Sequence, residues 1–192
     1  MPNIFSRANF SPEQALFVFA LESEAADEFR NYKCLFTGIG KVCATYALTK
    51  YLSDTKPSLI INLGSAGSSR FNKGAVVCCS KYIQRDMDVR GLGFQQYQTP
   101  FSGIPVLFEY GLTFPELPQG ICGSGDTFEM NHNGDDYTLV DMEAYALALV
   151  AMKESIPFLC LKYISDSADG LAADDWGVHV HKAAKAFRAV LF

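Results

Sequence analysis

Three acidic stretches hold most of the chemical content of this chain. Asp166 and Asp169 lie in YISDSADG, directly after the apolar run Phe158-Leu159-Cys160-Leu161. Glu22 and Glu24 follow the apolar run LFVFA at residues 16–20, and Glu143 sits between Met142 and Ala144 in an otherwise apolar stretch. Each has an ordinary explanation. An S-D-x-A-D string is a polar loop with a helix cap, and Glu143 could point along a solvent stripe. The chemical reading is general acid–base work, because an acid among apolar residues is costly to bury unless it accepts hydrogen bonds.

Other chemistries find less support. GIGKVCAT lacks both the spacing of a phosphate-binding P-loop and the third glycine of a dinucleotide fingerprint. The six cysteines, at 34, 43, 78, 79, 122 and 160, form no C-x-x-C. The three histidines offer no zinc spacing, and His179 and His181 fall on different faces of a helix. No cofactor and no metal are therefore expected, and the cysteines read as reduced residues of a cytoplasmic protein.

The elements that must position the acids alternate in type. LFVFA, CLFTGIG, SLIINLGSAGSS, GAVVCCSKYIQR, GICGSGDTF and PFLCLKYISD read as strands. ESEAADEFRNY, KVCATYALTKYLSD, YTLVDMEAYALALVAMKES (the longest) and DDWGVHVHKAAKAFRAVLF, capped by Asp174 or Asp175, read as helices. Residues 91–119 are rich in Gly, Pro and aromatics and read as irregular, with one short strand in IPVLFEY. The alternation predicts a single α/β domain over 1–192, a three-layer α/β/α sandwich around a mixed, largely parallel sheet. Four of the strands end in small polar turns, TGIG, NLGSAGS, CGSGDTF and ISDSAD. Ligands in such sheets bind beyond the carboxyl ends of strands, so backbone N–H groups and small hydroxyls are expected to line one cleft there.

Bulk properties bound the partners. The 192 residues are 49% hydrophobic and 19% charged, with net charge −5 and no Lys/Arg run. That composition argues for a globular chain and against nucleic-acid or anionic-membrane binding. The opening MPNIFSRANFSPEQ lacks the layout of a secretory leader, and no apolar stretch approaches a membrane span.

The ordered set ALESE, TGIGKV, IINLGSAG, GSGDTF, DMEAYA and YISDSAD resembles the nucleoside phosphorylase/nucleosidase superfamily, and within it the 5′-methylthioadenosine/S-adenosylhomocysteine nucleosidases. The likeness runs from residue 16 to about 190. It implies cleavage of an N-glycosidic bond through an oxocarbenium-like transition state. In that scheme Asp166 is the general acid at purine N7, oriented by Ser165, and burial among acids is expected to raise its pKa. Glu143 accepts hydrogen bonds from the ribose hydroxyls, and Met142 packs on the ribose. Glu24 positions and deprotonates the attacking water. Ser65, Ala66 and Gly67 build the turn beneath them. Phe128 stacks on the base, with backbone groups of Phe128 and Glu129 reading its edge.

The resemblance also implies an apolar 5′ pocket from Leu21, Val89, Leu92 and Phe94, with Trp176 in the closing loop and helix. It implies a homodimer in which Phe94 and the aromatic segment after it reach the partner's site. Phosphorylases of this superfamily commonly place an arginine just before the G-S-x-G turn. Here Asn62 and Leu63 stand there, which favours water over phosphate as nucleophile. Arg85 and Arg90 read as exposed charges, with Arg90 the alternative clamp for a carboxylate on an unusual substrate. The expected reaction is hydrolysis of 5′-methylthioadenosine, S-adenosylhomocysteine or a related 5′-modified adenosine to adenine and free sugar. The alternatives are a phosphorylase, a futalosine-type hydrolase, or a nucleoside-binding module without catalysis.

Overall fold

The computed structural model describes Phe5 and residues 10–129, 135–169 and 172–192, with residues 172–181 described as helical backbone only. From residue 12 onward, the described strands and α-helices follow one another as β1 (Ala15–Phe19), α1 (Glu22–Ala25), β2 (Cys34–Phe36), α2 (Lys41–Asp54), β3 (Leu59–Gly67), β4 (Val76–Gln84), β5 (Phe108–Glu109), β6 (Gln119–Ser124), β7 (Leu139–Asp141), α3 (Ala144–Lys153), β8 (Phe158–Asp166) and α4 (Ala172–Leu191). None of the helices is long and apolar enough to cross a membrane, among the described residues.

All eight strands join one mixed sheet. Strands β2, β1, β3 and β8 pair in parallel, as do β4, β6 and β7. Antiparallel contacts of β8 with β4 and of β7 with β3 join these two sets. The pairings β3–β8–β4–β6–β7–β3 form a closed circuit, so this part of the sheet curls on itself.

Strand alternation divides the core between the two faces. Leu16, Val18, Ile60, Cys160 and Ile164 face α2 and α3 through Leu48, Leu52, Leu147 and Ala148. Phe17, Phe19, Ile61, Leu159 and Leu161 face the other way, towards Phe29 and the α4 residues Ala184, Phe187 and Leu191. Helices on both faces of a sheet give the expected three layers. Helix α2 forms because Ala44, Leu48 and Leu52 recur every four residues and make one buried stripe. Removing a fully buried member, as in Leu48→Ala, is expected to cost about 2–5 kcal/mol.

Three sequence readings change. The helix expected from ESEAADEFRNY is one α-turn followed by a 3₁₀ turn, Ala26–Phe29, because Ala26 turns its backbone to φ 44°. The helix expected from residue 137 begins only at Ala144, because Leu139–Asp141 form a strand beside β6. That leaves α4, not α3, as the longest helix. Asp174 and Asp175 lie inside α4 rather than capping it.

Candidate active site

Several strands deliver residues to one cavity of about 470 Å³ beyond their ends. Strand β1 and the turn of α1 bring Leu21 and Glu24. Strand β3 brings Ser65, Ala66 and Gly67, and the segment after β6 brings Thr127, Phe128 and Glu129. Strand β7 leads to Met142 and Glu143, and β8 ends in Ser165 and Asp166. A larger groove of about 760 Å³ lies between α2 and α3, but none of the three acids lines it.

Glu24 is 3% exposed, and its carboxylate is held from two sides. The backbone N–H and the hydroxyl of Ser65 donate to Oε1 at 2.8 and 2.9 Å. The N–H groups of Ala20 and Leu21 donate to Oε2 at 3.2 Å. Four donors to one carboxylate fix its position and offset its burial.

Glu143 occupies the N-cap position of α3 and is 9% exposed, so it does not lie on a solvent stripe. Its Oε1 accepts the N–H of Gly40 at 2.8 Å. Gly40 holds φ 93°, a backbone state that favours glycine, which ties the TGIG turn to this acid. Burial pushes the Glu143 carboxyl up to about 8; the negative charges of Asp141 and Glu24 add to the rise, and Lys162 opposes it.

Beneath Glu143 lies an ion pair that the sequence reading did not identify. Lys162 Nζ stands 2.7 Å from Asp141 Oδ2, with both side chains 1% exposed. Asp141 also accepts the Ser124 hydroxyl at 2.5 Å and the N–H of Ala144 at 2.8 Å. Burial alone would raise the Asp141 carboxyl, but the Lys162 charge and these hydrogen bonds hold it below its ordinary value. Burial would lower the Lys162 ammonium, but Asp141 together with the neighbouring Cys160, Cys122 and Glu143 outweighs it, so the lysine stays charged. Its local signal was a single cation inside the apolar run FLCLKYI. A strand buried on both faces can carry such a charge only if it is paired.

Asp166 is 3% exposed at the end of β8. The parallel register with β3 slips there: Ala66 pairs with Ile164 and Gly67 with Asp166, leaving Ser165 as the extra residue. Strict alternation would send neighbouring residues to opposite faces, whereas the bulge lets Ser165 and Asp166 both line the cavity. The Ser165 hydroxyl donates to Asp166 Oδ2 at 2.8 Å, and the Ala168 N–H donates to Oδ1 at 2.9 Å. A Cβ built on Gly67 would fall 2.5 Å from Oδ1, so only glycine leaves room for this carboxylate.

The expected residues divide clearly. Glu24, Ser65, Ala66, Gly67, Phe128, Glu129, Met142, Glu143, Ser165, Asp166 and Leu21 line the cavity together. Val89, Leu92 and Phe94 do not. They lie at a 3₁₀ turn and just beyond it, with Leu92 75% exposed and Phe94 packed edge-on against Phe101. Trp176 falls where side chains lie outside the described residues. Arg90 is an exposed charge bound to Asp88 at 2.6 and 2.9 Å, and it does not line the cavity. Arg85 is the reverse of its expectation: its side chain is only 5% exposed and lines the cavity beside Glu129. Ile39, from the TGIG turn, is a further lining residue that was not anticipated. Among the described residues no group of three or more His, Cys, Asp or Glu is placed to hold a metal ion.

The model of the Phosphorylase superfamily matches residues 32–191. A 5′-methylthioadenosine/S-adenosylhomocysteine nucleosidase of Haemophilus influenzae (strain PittEE) is 31% identical over 179 residues, covering 82% of this chain and 77% of that one. The 5′-methylthioadenosine/S-adenosylhomocysteine nucleosidase of Neisseria meningitidis, solved with methylthio-immucillin-A, has TM-score 0.78 and 24% identity over 90% of this chain and 94% of that chain. The futalosine hydrolase of Helicobacter pylori strain 26695 has TM-score 0.82 and 19% identity over 92% of this chain and 94% of that chain. At these identities the two structures speak for the fold.

Proposed function

The chain belongs to the Phosphorylase superfamily, and from that premise we propose that it hydrolyses the N-glycosidic bond of 5′-methylthioadenosine, S-adenosylhomocysteine or a related 5′-modified adenosine. Nucleosidase activity is the reading that its 31% identical relative supports. The observation that carries it is the meeting of Glu24, Glu143 and Asp166 in one cavity with Phe128 at its rim.

Each acid has a role suited to its environment. As the bond to the base lengthens, the ribose ring becomes cationic and the purine basic. Asp166 donates a proton to the leaving purine, held in line by the Ser165 hydroxyl and the Ala168 N–H. Glu143 accepts from the ribose hydroxyls. Its raised pKa means that the free site holds it largely neutral near pH 7, and a cationic sugar favours its ionised form. Glu24, anchored through Ser65, orients a water and takes the proton that the water loses as its oxygen bonds to the sugar carbon. The reaction needs acids and water, and no cofactor.

Water is favoured over phosphate as the nucleophile by the composition of β3. That strand carries Asn62 and Leu63 before Gly64, where a phosphate-holding arginine would stand. The test is base release from a nucleoside panel, futalosine included, in phosphate-free buffer. Adenine and free sugar are expected. A requirement for phosphate, with a sugar 1-phosphate as product, would refute hydrolysis.

The chain is further proposed to act as a cytoplasmic homodimer. Support for assembly comes from exposed apolar side chains on two faces, Phe101 (95%) and Leu92 (75%) beside Phe94, and Val42 (78%) and Tyr46 (66%) on α2. The six free cysteines suit a reducing compartment. A monomer with full activity at all concentrations would overturn the dimer.

A further inference from the structure

Arg85 stands one residue past the end of β4 and turns inward over the segment after β6. Its guanidinium makes a set of contacts to one short stretch of chain. Nη1 donates to the Thr127 hydroxyl at 3.1 Å and stands 3.4 Å from Glu129 Oε2. Nη2 donates to the backbone carbonyls of Gly125, at 3.5 Å, and Thr127. The backbone N–H of Arg85 is itself tied to Ser124 O at 2.9 Å.

The packing is as specific as the hydrogen bonding. A Cβ on Gly125 would lie 2.9 Å from Arg85 Cζ and 3.1 Å from Nε, so the guanidinium rests against bare glycine backbone. Arg85 Nε is buried with no hydrogen-bond partner, among the described residues. A side chain placed for stability alone would avoid that orphaned donor. The residues it grips, Thr127 and Glu129, flank Phe128 on both sides. Phe128 is 48% exposed at the cavity rim, so little apolar packing of its own holds it there.

We propose that Arg85 is the positioning residue for Phe128: a guanidinium clasp that holds residues 125–129 in the conformation presenting the Phe128 ring to the base. A planar fork with donors in fixed directions suits this task, since it reaches a hydroxyl, two carbonyls and a carboxylate at once. The inference rests on the nucleosidase reading only in what Phe128 stacks against; the clasp itself is a statement about the free protein. It makes base affinity depend on Arg85 through the placement of the Phe128 ring.

The test compares the parent with Arg85→Met, Arg85→Lys, Phe128→Ala and the Arg85→Met/Phe128→Ala pair. Amide hydrogen exchange is followed at residues 126–129, and KM and kcat are measured for adenine release from 5′-methylthioadenosine. In Arg85→Met, exchange in that segment should accelerate by at least roughly tenfold while β3 and β8 keep their protection. KM should rise roughly tenfold with kcat changed by less than about threefold. Arg85→Lys, which keeps the charge without the fork, should fall between, and it carries the comparison if Arg85→Met does not fold. Added to Phe128→Ala, the Arg85 change should alter KM by less than about twofold, because both act through one ring. Unchanged exchange at 126–129, or an undiminished KM effect in the Phe128→Ala background, would overturn the proposal. A parent that releases no base from any nucleoside would remove the nucleosidase reading, and the exchange comparison would still decide the clasp.

Discussion

Lys162 Nζ and Asp141 Oδ2 meet at 2.7 Å in the interior, the one on β8 and the other at the end of β7, directly beneath the candidate ribose-binding acid Glu143. Asp141 also accepts from the Ser124 hydroxyl, the Cys122 thiol and the first N–H groups of α3, at Glu143 and Ala144. The pair therefore fixes where α3 begins and with it where Glu143 stands. A Cβ on Gly64 would lie 3.3 Å from Lys162 Nζ and 3.5 Å from Glu24 Oε1, so the same cation also approaches the candidate water-binding acid.

Breaking one side of this pair strands a buried charge. Lys162→Met is expected to destabilise the protein by about 3–5 kcal/mol in urea unfolding, and the double change Lys162→Met/Asp141→Asn to recover much of that loss. Equal stabilities for the single and double variants would show that the pair is not coupled.

The elevated Glu143 carboxyl makes a pH prediction whose sign can be worked out. In the unfolded chain the group ionises near 4.5, and in the folded protein near 8. Between those values the folded state binds the extra proton, so stability is fully present below about pH 4.5 and declines as pH rises towards 8. Glu143→Gln removes this dependence. Between pH 5 and pH 9 the parent should lose on the order of 2–4 kcal/mol more than the variant. Parallel urea midpoints across that range would contradict the assignment.

Asp166→Asn preserves shape but cannot deliver a proton. kcat is expected to fall at least ~10²-fold with the fold intact, while Asp169→Asn, at an exposed position three residues on, costs far less. Steady-state rates at matched folded fraction decide this. Parent-like turnover by Asp166→Asn would remove the general acid from the mechanism.

Gly67→Ala tests the geometry of that acid without touching it. The added methyl would start 2.5 Å from Asp166 Oδ1 and 3.1 Å from the Ala168 side chain, so the carboxylate or the turn must shift. A shift of the general acid by about an ångström is expected to cost on the order of 10²-fold in kcat. Parent-like rates would mean that the site tolerates displacement of the acid.

Much of the architecture was legible in the chain. The continuous apolar runs around β1, β3, β4 and β8 mark strands buried along most of their length, and the Ala44, Leu48 and Leu52 stripe marks the one face that α2 buries. The small polar turns after the strands pointed to a cleft at one end of the sheet, and Glu24, Glu143 and Asp166 meet in it. Tertiary structure decided where α3 starts, because TLVD gains a parallel partner in β6 that no window around residue 139 contains. It turned Arg85 from an expected surface charge into a buried one, through contacts to residues about forty positions further along the chain. It gave Lys162 its counter-ion on another strand, and the slip at Ser165 set the direction of Asp166. Sequence patterns report the burial of a face. The pairing of a charge and the room beside a carboxylate depend on which distant backbone comes to lie alongside, and only the folded chain specifies that.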